Sequence, residues 1–325
     1  MVLEVDIRGM EKEHKRILII DANSIIHRAF HALPILTTEK GETTNAVYGF
    51  LLVFFKAIKD FHPDYMAACF DLPSPTFRHK KYKLYKAKRP KAPEELYQQI
   101  PRIKEVLKLF NVPIFEKQGF EADDIIGTIA ALSPRKQIVP PIETIIVSGD
   151  LDALQLVDKQ TKLFALRKGV KDVVLYDESL VKEKLQGLLP EQVLDFKALR
   201  GDASDNIPGV TGIGEKTAIE LLLKFSTLDN LYKELEENSG KAKNLKPKQR
   251  ETLLKYREQA FLSRDLAQIE KNVPIDFNLE KCSWINYDKA KAADILKELE
   301  FYTLVGRLPD FDKPQEKIKE NLKLW

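Results

Sequence analysis

Acidic side chains follow the apolar runs of this 325-residue chain. Asp21 ends ILII (17–20), Asp71 follows YMAACF (65–70), and Asp150 follows TIIV (144–147). The other candidates, after VPIF (112–115) or in the segments DLD and GDASD, are Glu121, Asp123, Asp124, Asp152, Asp202 and Asp205. Side chains beyond the carboxyl ends of parallel strands share one crevice. We therefore expect these nine carboxylates to converge.

Carboxylates that crowd together either take up protons or recruit cations, and hard divalent cations prefer oxygen ligands. Nine acids are too many for one Mg²⁺ but suit two, and two ions about 4 Å apart form the usual clamp for phosphodiester hydrolysis. A single Asp at a strand end is more often a turn former or N-cap, and acids at 121–124 also favour a helix start through its dipole. The joint pattern favours a metal site over capping alone.

A glycine-rich segment, IPGVTGIGEKTA, occupies residues 207–218. It is not a phosphate-binding loop of the G-x-x-x-x-G-K-[ST] type, because Glu215 precedes Lys216 and the preceding segment is helical; a dinucleotide fingerprint likewise requires a strand. We interpret it as a tight hairpin between two helices, in which Gly209, Gly212 and Gly214 permit close backbone approach. Free N–H groups beside Lys216 and Thr217 would then hold a nucleic-acid phosphate without reading sequence.

Residues 78–91 carry eight Lys or Arg and no acid, so the rest of this +3 chain has a net charge of 3 − 8 = −5. Prolines isolate the segment 73–93, and self-repulsion predicts that it is mobile until a polyanion binds. Cations interleaved with Tyr82 and Tyr85 suit a single nucleic-acid strand, with rings stacking on bases. A solvated surface helix is the alternative.

The elements that must position these residues alternate strand and helix up to about residue 178. The strands are short and apolar on both faces, the last predicted one being KLFAL (162–166), and a helix is predicted over 94–110. This alternation indicates an α/β fold with a parallel sheet and helices on both faces. Helices predicted at 190–200, 214–225 and 248–262 form an all-helical subdomain, and 311–325 is a polar tail.

Composition excludes several classes. Length predicts about two domains, and no apolar stretch is long enough to span a membrane. Two cysteines cannot build a disulfide framework and favour a reducing, cytoplasmic setting, and the first residues do not form a signal peptide.

Five segments together resemble the bacterial 5′-nuclease family, which comprises the 5′→3′ exonuclease domain of DNA polymerase I and stand-alone, flap endonuclease-like relatives. They are ILIIDANSIIHRAFH, FDLPSPTFRHKKYKLYKAKRP, GFEADDIIGTIA, IIVSGDLDALQLV and LRGDASDNIPGVTGIGEKTA. The resemblance covers about residues 16–310. It implies a PIN-like catalytic domain (1–177) with a helical arch at about 73–93, and a helical subdomain (178–310) with a helix-hairpin-helix at about 195–226.

The resemblance also implies site residues. The first metal would be held by Asp21, Asp71, Glu121, Asp123 and Asp124, and the second by Asp150, Asp152, Asp202 and Asp205. Catalytic contacts to the DNA end or scissile phosphate would come from Arg28, Tyr85, Lys86 and Arg89. Further DNA contacts would come from Arg78, Tyr82, Lys197 and the hairpin residues Gly209, Gly212, Gly214, Lys216 and Thr217. The implied cofactors are two Mg²⁺ or Mn²⁺ ions, with a monovalent cation at the hairpin.

The expected function is a structure-selective 5′→3′ exonuclease and flap endonuclease that cuts flaps, 5′ ends and RNA primers annealed to DNA in replication and repair. We expect a monomer that does not act at membranes and has a DNA polymerase as a partner. No polymerase segment follows within these residues, so the chain is either a free-standing nuclease or part of a longer one. The alternatives are a PIN-type ribonuclease and a non-catalytic module that binds branched DNA.

Overall fold

The apolar runs become the strands of one six-stranded sheet. The computed structural model of the chain describes residues 15–133 and 141–311. The strands are β1 (Arg16–Asp21), β2 (Tyr65–Cys69), β3 (Ile114–Phe115), β4 (Glu143–Ser148), β5 (Thr161–Lys168) and β6 (Asp172–Tyr176). Their order is β3-β2-β1-β4-β5-β6, parallel except for β6, which pairs antiparallel with β5. The five predicted strands are confirmed, and β6 is an addition.

Fifteen α-helices lie in the described residues. They are α1 (Ala22–Ala32), α2 (Asn45–Phe61), α3 (Phe77–Lys81), α4 (Glu94–Tyr97), α5 (Ile100–Leu109), α6 (Ala122–Leu132), α7 (Glu178–Lys184), α8 (Val193–Arg200), α9 (Glu215–Phe225), α10 (Leu228–Glu236), α11 (Gly240–Lys243), α12 (Pro247–Lys255), α13 (Arg257–Ala267), α14 (Lys289–Glu298) and α15 (Tyr302–Val305). Short 3₁₀ turns occupy Leu151–Leu156, Pro190–Gln192 and Glu280–Cys282. Within these described stretches, no helix is both long and apolar enough to cross a bilayer.

Two predicted helices are each broken in two. The helix predicted over 94–110 is divided between α4 and α5, and Pro101 lies in the first turn of α5. Proline is tolerated in a first turn, where its missing N–H has no partner to lose, but not in a helix interior. The helix predicted over 248–262 is interrupted at Tyr256, between α12 and α13; nothing in the structure explains this break.

Alternate residues of the central strands belong to two different hydrophobic cores. Leu18 and Ile20 point into a core formed with α1, α2 and α5, whereas Ile17 and Ile19 point into one formed with α6. This is the period-two alternation of a strand buried on both faces. It explains why the runs are apolar at every position, and it confirms the α/β fold class with a mostly parallel sheet.

A third core covers less of the chain than the predicted helical subdomain, 178–310. It joins α8, α9, α10 and the helices up to α13. Val181 of α7 instead belongs to the second core, and α14 returns to the first one through Ile295 and Leu296. The chain therefore leaves the sheet for about residues 188–267 and comes back. Residues 1–14 and 312–325, which include most of the predicted tail, lie outside the described residues.

Candidate nuclease site

The carboxyl ends of β1 and β4 meet where the strand order reverses, which is where ligands bind in open α/β sheets. Asp21 ends β1 and caps α1, accepting a hydrogen bond from the main-chain N–H of Ser24 at 3.1 Å. Asp150 follows β4 and accepts from the N–H of Asp152 at 2.9 Å. Asp71 follows β2 and accepts from the N–H of Ala122 at 2.7 Å. These carboxylates act as caps, yet the same geometry gathers them at one edge.

Burial and neighbouring charges raise the pKa of several of these acidic side chains. Burial, with a smaller contribution from Asp71, raises the pKa of Asp21 to about 6. Burial and the charges of Asp21, Asp150 and Asp152 raise the pKa of Asp123 well above its ordinary value. Burial and Asp150 raise the pKa of Asp152 to about 7. Burial is the largest cause of each shift, and the neighbouring carboxylates add to it, as expected where acidic side chains lie close together.

A narrow crevice lies at this edge. It is lined by Arg78, Tyr85, Glu121, Asp123, Asp152, Asp205, Leu266, Ala267 and Ile269. Acidic residues from the α6 start, from the loop after β4 and from the turn after α8 thus share one space. Four of the nine predicted carboxylates, Glu121, Asp123, Asp152 and Asp205, line this crevice.

Basic side chains of the predicted arch lie among these acids. Lys86 Nζ donates to Glu121 Oε2 at 2.8 Å, and Arg89 Nη2 donates to Asp205 Oδ1 at 2.6 Å. The Tyr85 hydroxyl is buried and lies 3.1 Å from a carboxylate oxygen of both Glu121 and Asp205. Although burial alone would lower the pKa of Lys86, these two carboxylates raise it, so Lys86 is a cation here.

The arch is tied down at its centre. The main-chain N–H of Lys86 donates to the carbonyl of Asp205 at 2.9 Å, and the Asn206 amide donates to the carbonyl of Leu84 at 2.6 Å. Lys86 has a φ of +54°, a conformation that non-glycine residues seldom adopt and that concentrates at functional sites. Arg78, Lys81, Lys86 and Arg89 all have acidic partners. Like-charge repulsion, on which the predicted mobility depended, is therefore offset at four of the eight cations.

Three charged side chains with predicted contacts lie in buried internal ion pairs. Arg78 was expected to contact DNA, but its guanidinium is 3% exposed and forms a two-bond ion pair with Asp124. Asp124 was expected to bind the first metal, but it is fully buried against Arg78. Lys197 was also expected to contact DNA, but its ammonium is buried between Asp152 and Asp202. These charges are neutralised internally because burying an unpaired charge is costly.

Two further predicted contacts, Arg28 and Tyr82, are half-buried. Half-buried Arg28 donates 3.0 Å hydrogen bonds to the carbonyls of Gly149 and Arg167, so it holds the loop that carries Asp150. Tyr82 packs on a small apolar cluster that includes Tyr85 and Leu266. Contact of either side chain with DNA stays a prediction.

The glycine segment forms a turn between α8 and α9, as predicted, but its glycines differ. Gly209, with a φ of +61°, lies against Gly201, where a Cβ on Gly209 would stand 2.3 Å from a main-chain nitrogen. Its N–H donates to Ser263 Oγ at 3.0 Å, and the Gln259 amide donates to its carbonyl at 2.6 Å. Gly209 therefore packs inside and is not available to a phosphate.

The exposed end of the turn holds the other hairpin candidates. Gly212 has a φ of +86°, Gly214 is the N-cap of α9, and both are exposed. Lys216 is exposed and Thr217 is half-buried in the first turn of α9. A helix N-terminus with free N–H groups and a lysine nearby is suited to an anion.

Sequence reasoning missed the hydroxyl that joins the two central strand ends. Ser148 Oγ donates to Asp21 Oδ2 at 2.5 Å, accepts from the N–H of Asp150 at 2.9 Å, and lies 3.1 Å from Ser24 Oγ. The only signal was a serine closing the otherwise apolar run TIIV. It fixes the spacing of two predicted metal ligands.

The residue types suit a hard divalent cation, since the group is rich in partly buried carboxylate oxygens. No set of three Asp, Glu, His or Cys side chains in residues 15–133 and 141–311 is arranged to hold a metal ion as it stands. In this structure the cations of Lys86, Arg89 and Lys197 occupy carboxylate oxygens of Glu121, Asp205 and Asp202. The donors fit such an ion, provided that these basic groups give way.

Two protein-family models match consecutive parts of the chain. Residues 16–186 match the model of the 5′-3′ exonuclease N-terminal resolvase-like domain. Residues 188–290 match that of the 5′-3′ exonuclease C-terminal SAM fold. The chain belongs to the 5′-3′ exonuclease family. The resemblance given by the five sequence segments is therefore confirmed, and the family border near residue 187 falls close to the start of the third core.

Relatives in this family are both long and short. DNA polymerase I of Bacillus subtilis is 42% identical over 91% of the chain, which spans 32% of that protein. A 5′-3′ exonuclease of Aquifex aeolicus is 38% identical over 90% of the chain and 94% of its own length. The chain thus spans about a third of the polymerases that it matches.

Solved structures share the family fold. The T5 D15 protein co-crystallised with metal ions superposes with a TM-score of 0.63 at 21% identity, covering 78% of this chain and 90% of that one. The catalytic core of Rad2 in complex with DNA substrate gives 0.57 at 16% identity, covering 88% of both chains. At these identities the likeness shows the fold.

Proposed function

We propose that this chain is a divalent-metal-dependent, structure-selective 5′ nuclease that hydrolyses DNA phosphodiesters as a 5′→3′ exonuclease and flap endonuclease. One observation carries the proposal. Acids from separate segments meet at the sheet edge, and Tyr85 and Lys86 of the basic arch lie directly on them. A site that cuts a polyanion with the help of metal ions needs negative carboxylates and positive side chains close together.

Two Mg²⁺ or Mn²⁺ ions are the proposed cofactors. The supporting donors are Asp21, Asp71, Glu121, Asp123, Asp150, Asp152, Asp202 and Asp205. Ions held there would supply Lewis-acid stabilisation of the charge that develops on the phosphodiester. The co-crystallised metal ions of the T5 protein support divalent-metal dependence in this family. A monovalent cation at the hairpin stays a prediction.

The basic side chains of the arch supply the remaining electrostatics. Lys86 is held as a cation beside Glu121, and on the arrival of a phosphodiester it would move from this carboxylate to the phosphate oxygen. A positioned cation lowers the barrier most where negative charge develops. Arg89 would hold the adjacent phosphate, and Tyr85 would order the two carboxylates that it bridges. Arg28 would keep the loop of Asp150 in place.

The hairpin would hold the duplex. Lys216 and the α9 N-terminus offer phosphate contacts and no base-reading side chain, which predicts low sequence specificity. A 5′ single strand would then reach the arch while the duplex stays on the helical subdomain. The chain would select its substrates by the junction between the duplex and the 5′ single strand.

The proposed substrates are flaps, 5′-ended or branched DNA and RNA primers annealed to DNA, in replication and repair. Rad2 structures in complex with DNA substrate support a DNA ligand. A DNA polymerase, in the same chain or as a partner, is proposed from the polymerase relatives. A monomeric, cytoplasmic protein with a catalytic domain near 1–177 completes the proposal.

The test is cleavage of a labelled 5′ flap with Mg²⁺ and with EDTA, beside single-stranded RNA of the same length. We expect flap cleavage that EDTA abolishes, and much slower cutting of the RNA. Asp150→Asn should bind the flap without cutting it. Preferred cutting of single-stranded RNA would favour a ribonuclease, and flap binding without cutting by the unchanged chain would favour a non-catalytic module.

A further inference from the structure

Two residues that family resemblance places in the metal site and the DNA contact set face each other in the interior. Arg78 Nη1 and Nη2 each donate to a separate oxygen of Asp124 at 2.7 Å. Both side chains are almost completely shielded, Arg78 at 3% exposure and Asp124 at 0%. A phosphate or an ion would have to break this pair to reach either one.

The Asp124 carboxylate has no acceptor site to spare. Oδ1 accepts from Arg78 and from the main-chain N–H of Glu270 at 2.9 Å. Oδ2 accepts from Arg78 and from the main-chain N–H of Glu121 at 3.0 Å. A carboxylate offers about four lone-pair positions, and four donors fill them. Its neighbour Asp123 instead lies with the charges of Asp21, Asp150 and Asp152.

Arg78 ties a third element to this pair. Its Nε and Nη2 donate to the carbonyls of Leu266 and Gln268, at 2.9 and 2.6 Å. These carbonyls lie at the C-terminal end of α13, where acceptors lack helical partners and a cation is favoured. Lys81, from the same turn of the arch, pairs with Asp265 of α13. The base of the arch, the start of α6 and the end of α13 are thus joined at one point.

We propose that Arg78 and Asp124 are positioning residues that anchor the base of the arch over the carboxylates, and that Asp124 is not a metal ligand. The carboxylate that holds Arg78 also holds the main chain of Glu121, and Glu121 contacts Lys86. The pair therefore sets where Lys86 lies relative to the acidic group. This inference rests on the proposed function for its consequence in cleavage, but the anchoring itself does not need catalysis.

The first measurement separates anchoring from metal binding. Binding of Mn²⁺ to the full chain is followed by the loss of the free-ion electron paramagnetic resonance signal. We expect Asp124→Asn to bind Mn²⁺ within twofold of the unchanged chain, and Asp123→Asn to bind at least tenfold more weakly. Equal weakening in both variants would overturn the inference.

The second measurement reads the arch directly. Limited trypsin digestion without metal should cut at the exposed arch lysines, Lys80, Lys83 and Lys88, at least tenfold faster in Asp124→Asn. The matched control is Asp195→Asn, because Asp195 is also a buried carboxylate that accepts a main-chain N–H, from Leu228 at 2.8 Å, and it lies on α8 rather than in the arch. An unchanged arch digestion rate in Asp124→Asn, or the same increase in the control, would overturn the inference.

Kinetics complete the test. Misplacing Lys86 should lower kcat on a flap by roughly a hundredfold, while the Mg²⁺ concentration for half-maximal rate stays within twofold. If Asp124→Asn does not fold, Arg78→Lys takes its place, since lysine keeps the charge but cannot form the two-bond fork. Faster arch digestion with unchanged Mn²⁺ affinity supports the inference in that variant, and unchanged digestion overturns it. No Mn²⁺ binding or flap cleavage by the unchanged chain would sink the proposed function alone, because arch digestion would still report on the anchor.

Discussion

Lys197 offers a direct test of how buried cations neutralise the charge of the acidic group. Its ammonium contacts Asp152 and lies 2.8 Å from Asp202 Oδ2, with the lysine side chain 9% exposed and the carboxylates 23% and 16% exposed. Lys197→Met keeps most of the buried volume but leaves two facing carboxylates without their cation. Removing one partner of a buried pair costs about 3–5 kcal/mol. Because the carboxylates retain some solvent, we take the lower end, about 3 kcal/mol.

That loss should show as a lower melting temperature that depends on metal. At about 2 °C per kcal/mol for a large domain, Lys197→Met should melt about 6 °C below the unchanged chain in EDTA. A bound divalent ion stabilises each chain by RT ln(1 + [L]/Kd), so only a difference in Kd between the two chains changes the deficit. The variant should bind Mg²⁺ more tightly because no lysine competes, and about tenfold tighter binding adds about 1.4 kcal/mol. The deficit should therefore shrink by about half, to about 3 °C, in saturating Mg²⁺.

The assay is thermal unfolding followed by circular dichroism in both buffers. Lys162→Met is the matched control, since Lys162 pairs with Glu143 at 2.8 Å but is 33% exposed. A surface pair contributes under about 1 kcal/mol, so this variant should melt within about 2 °C of the unchanged chain in either buffer. An equal deficit for Lys197→Met with and without Mg²⁺, or none in EDTA, would refute the placement of metal beside Asp152 and Asp202.

Three further outcomes are expected. Lys86→Ala should slow single-turnover flap cleavage by about 10²–10³-fold with little loss of flap binding in a filter assay, whereas Lys83→Ala should change neither; an unaffected rate would remove Lys86 from the reaction. Lys216→Ala should reduce the log–log salt slope of duplex binding by about 0.9, and Lys224→Ala, at the other end of α9, should not; equal slopes would remove the hairpin from the contact set. Gly209→Ala should lower the melting temperature, because its Cβ would stand 2.3 Å from the neighbouring main chain; unchanged unfolding would contradict that close packing.

The local sequence pattern was sufficient to predict the strands and the acidic residues that end them. A run such as ILII is apolar at every position because both faces of β1 are buried, so its place inside the sheet is visible without coordinates. Sheet topology then brings Asp21 and Asp150 together, as the rule for parallel strands predicts. The breaks at Gln99 and Tyr256 were less visible, because apolar spacing continues across them.

The α/β class, the family and the types of side chain at the sheet edge could be predicted from the sequence, since these depend on periodicity and on short motifs. Which charge each of these side chains faces depends on how distant segments pack together. Arg78 and Asp124 lie 46 residues apart, and Lys197 is likewise distant from Asp152. A basic residue near an acidic site looks the same in sequence whether it awaits a phosphate or neutralises a carboxylate. Burial separates the two cases, because a shielded charge must keep its partner and an exposed one is free to exchange it for DNA.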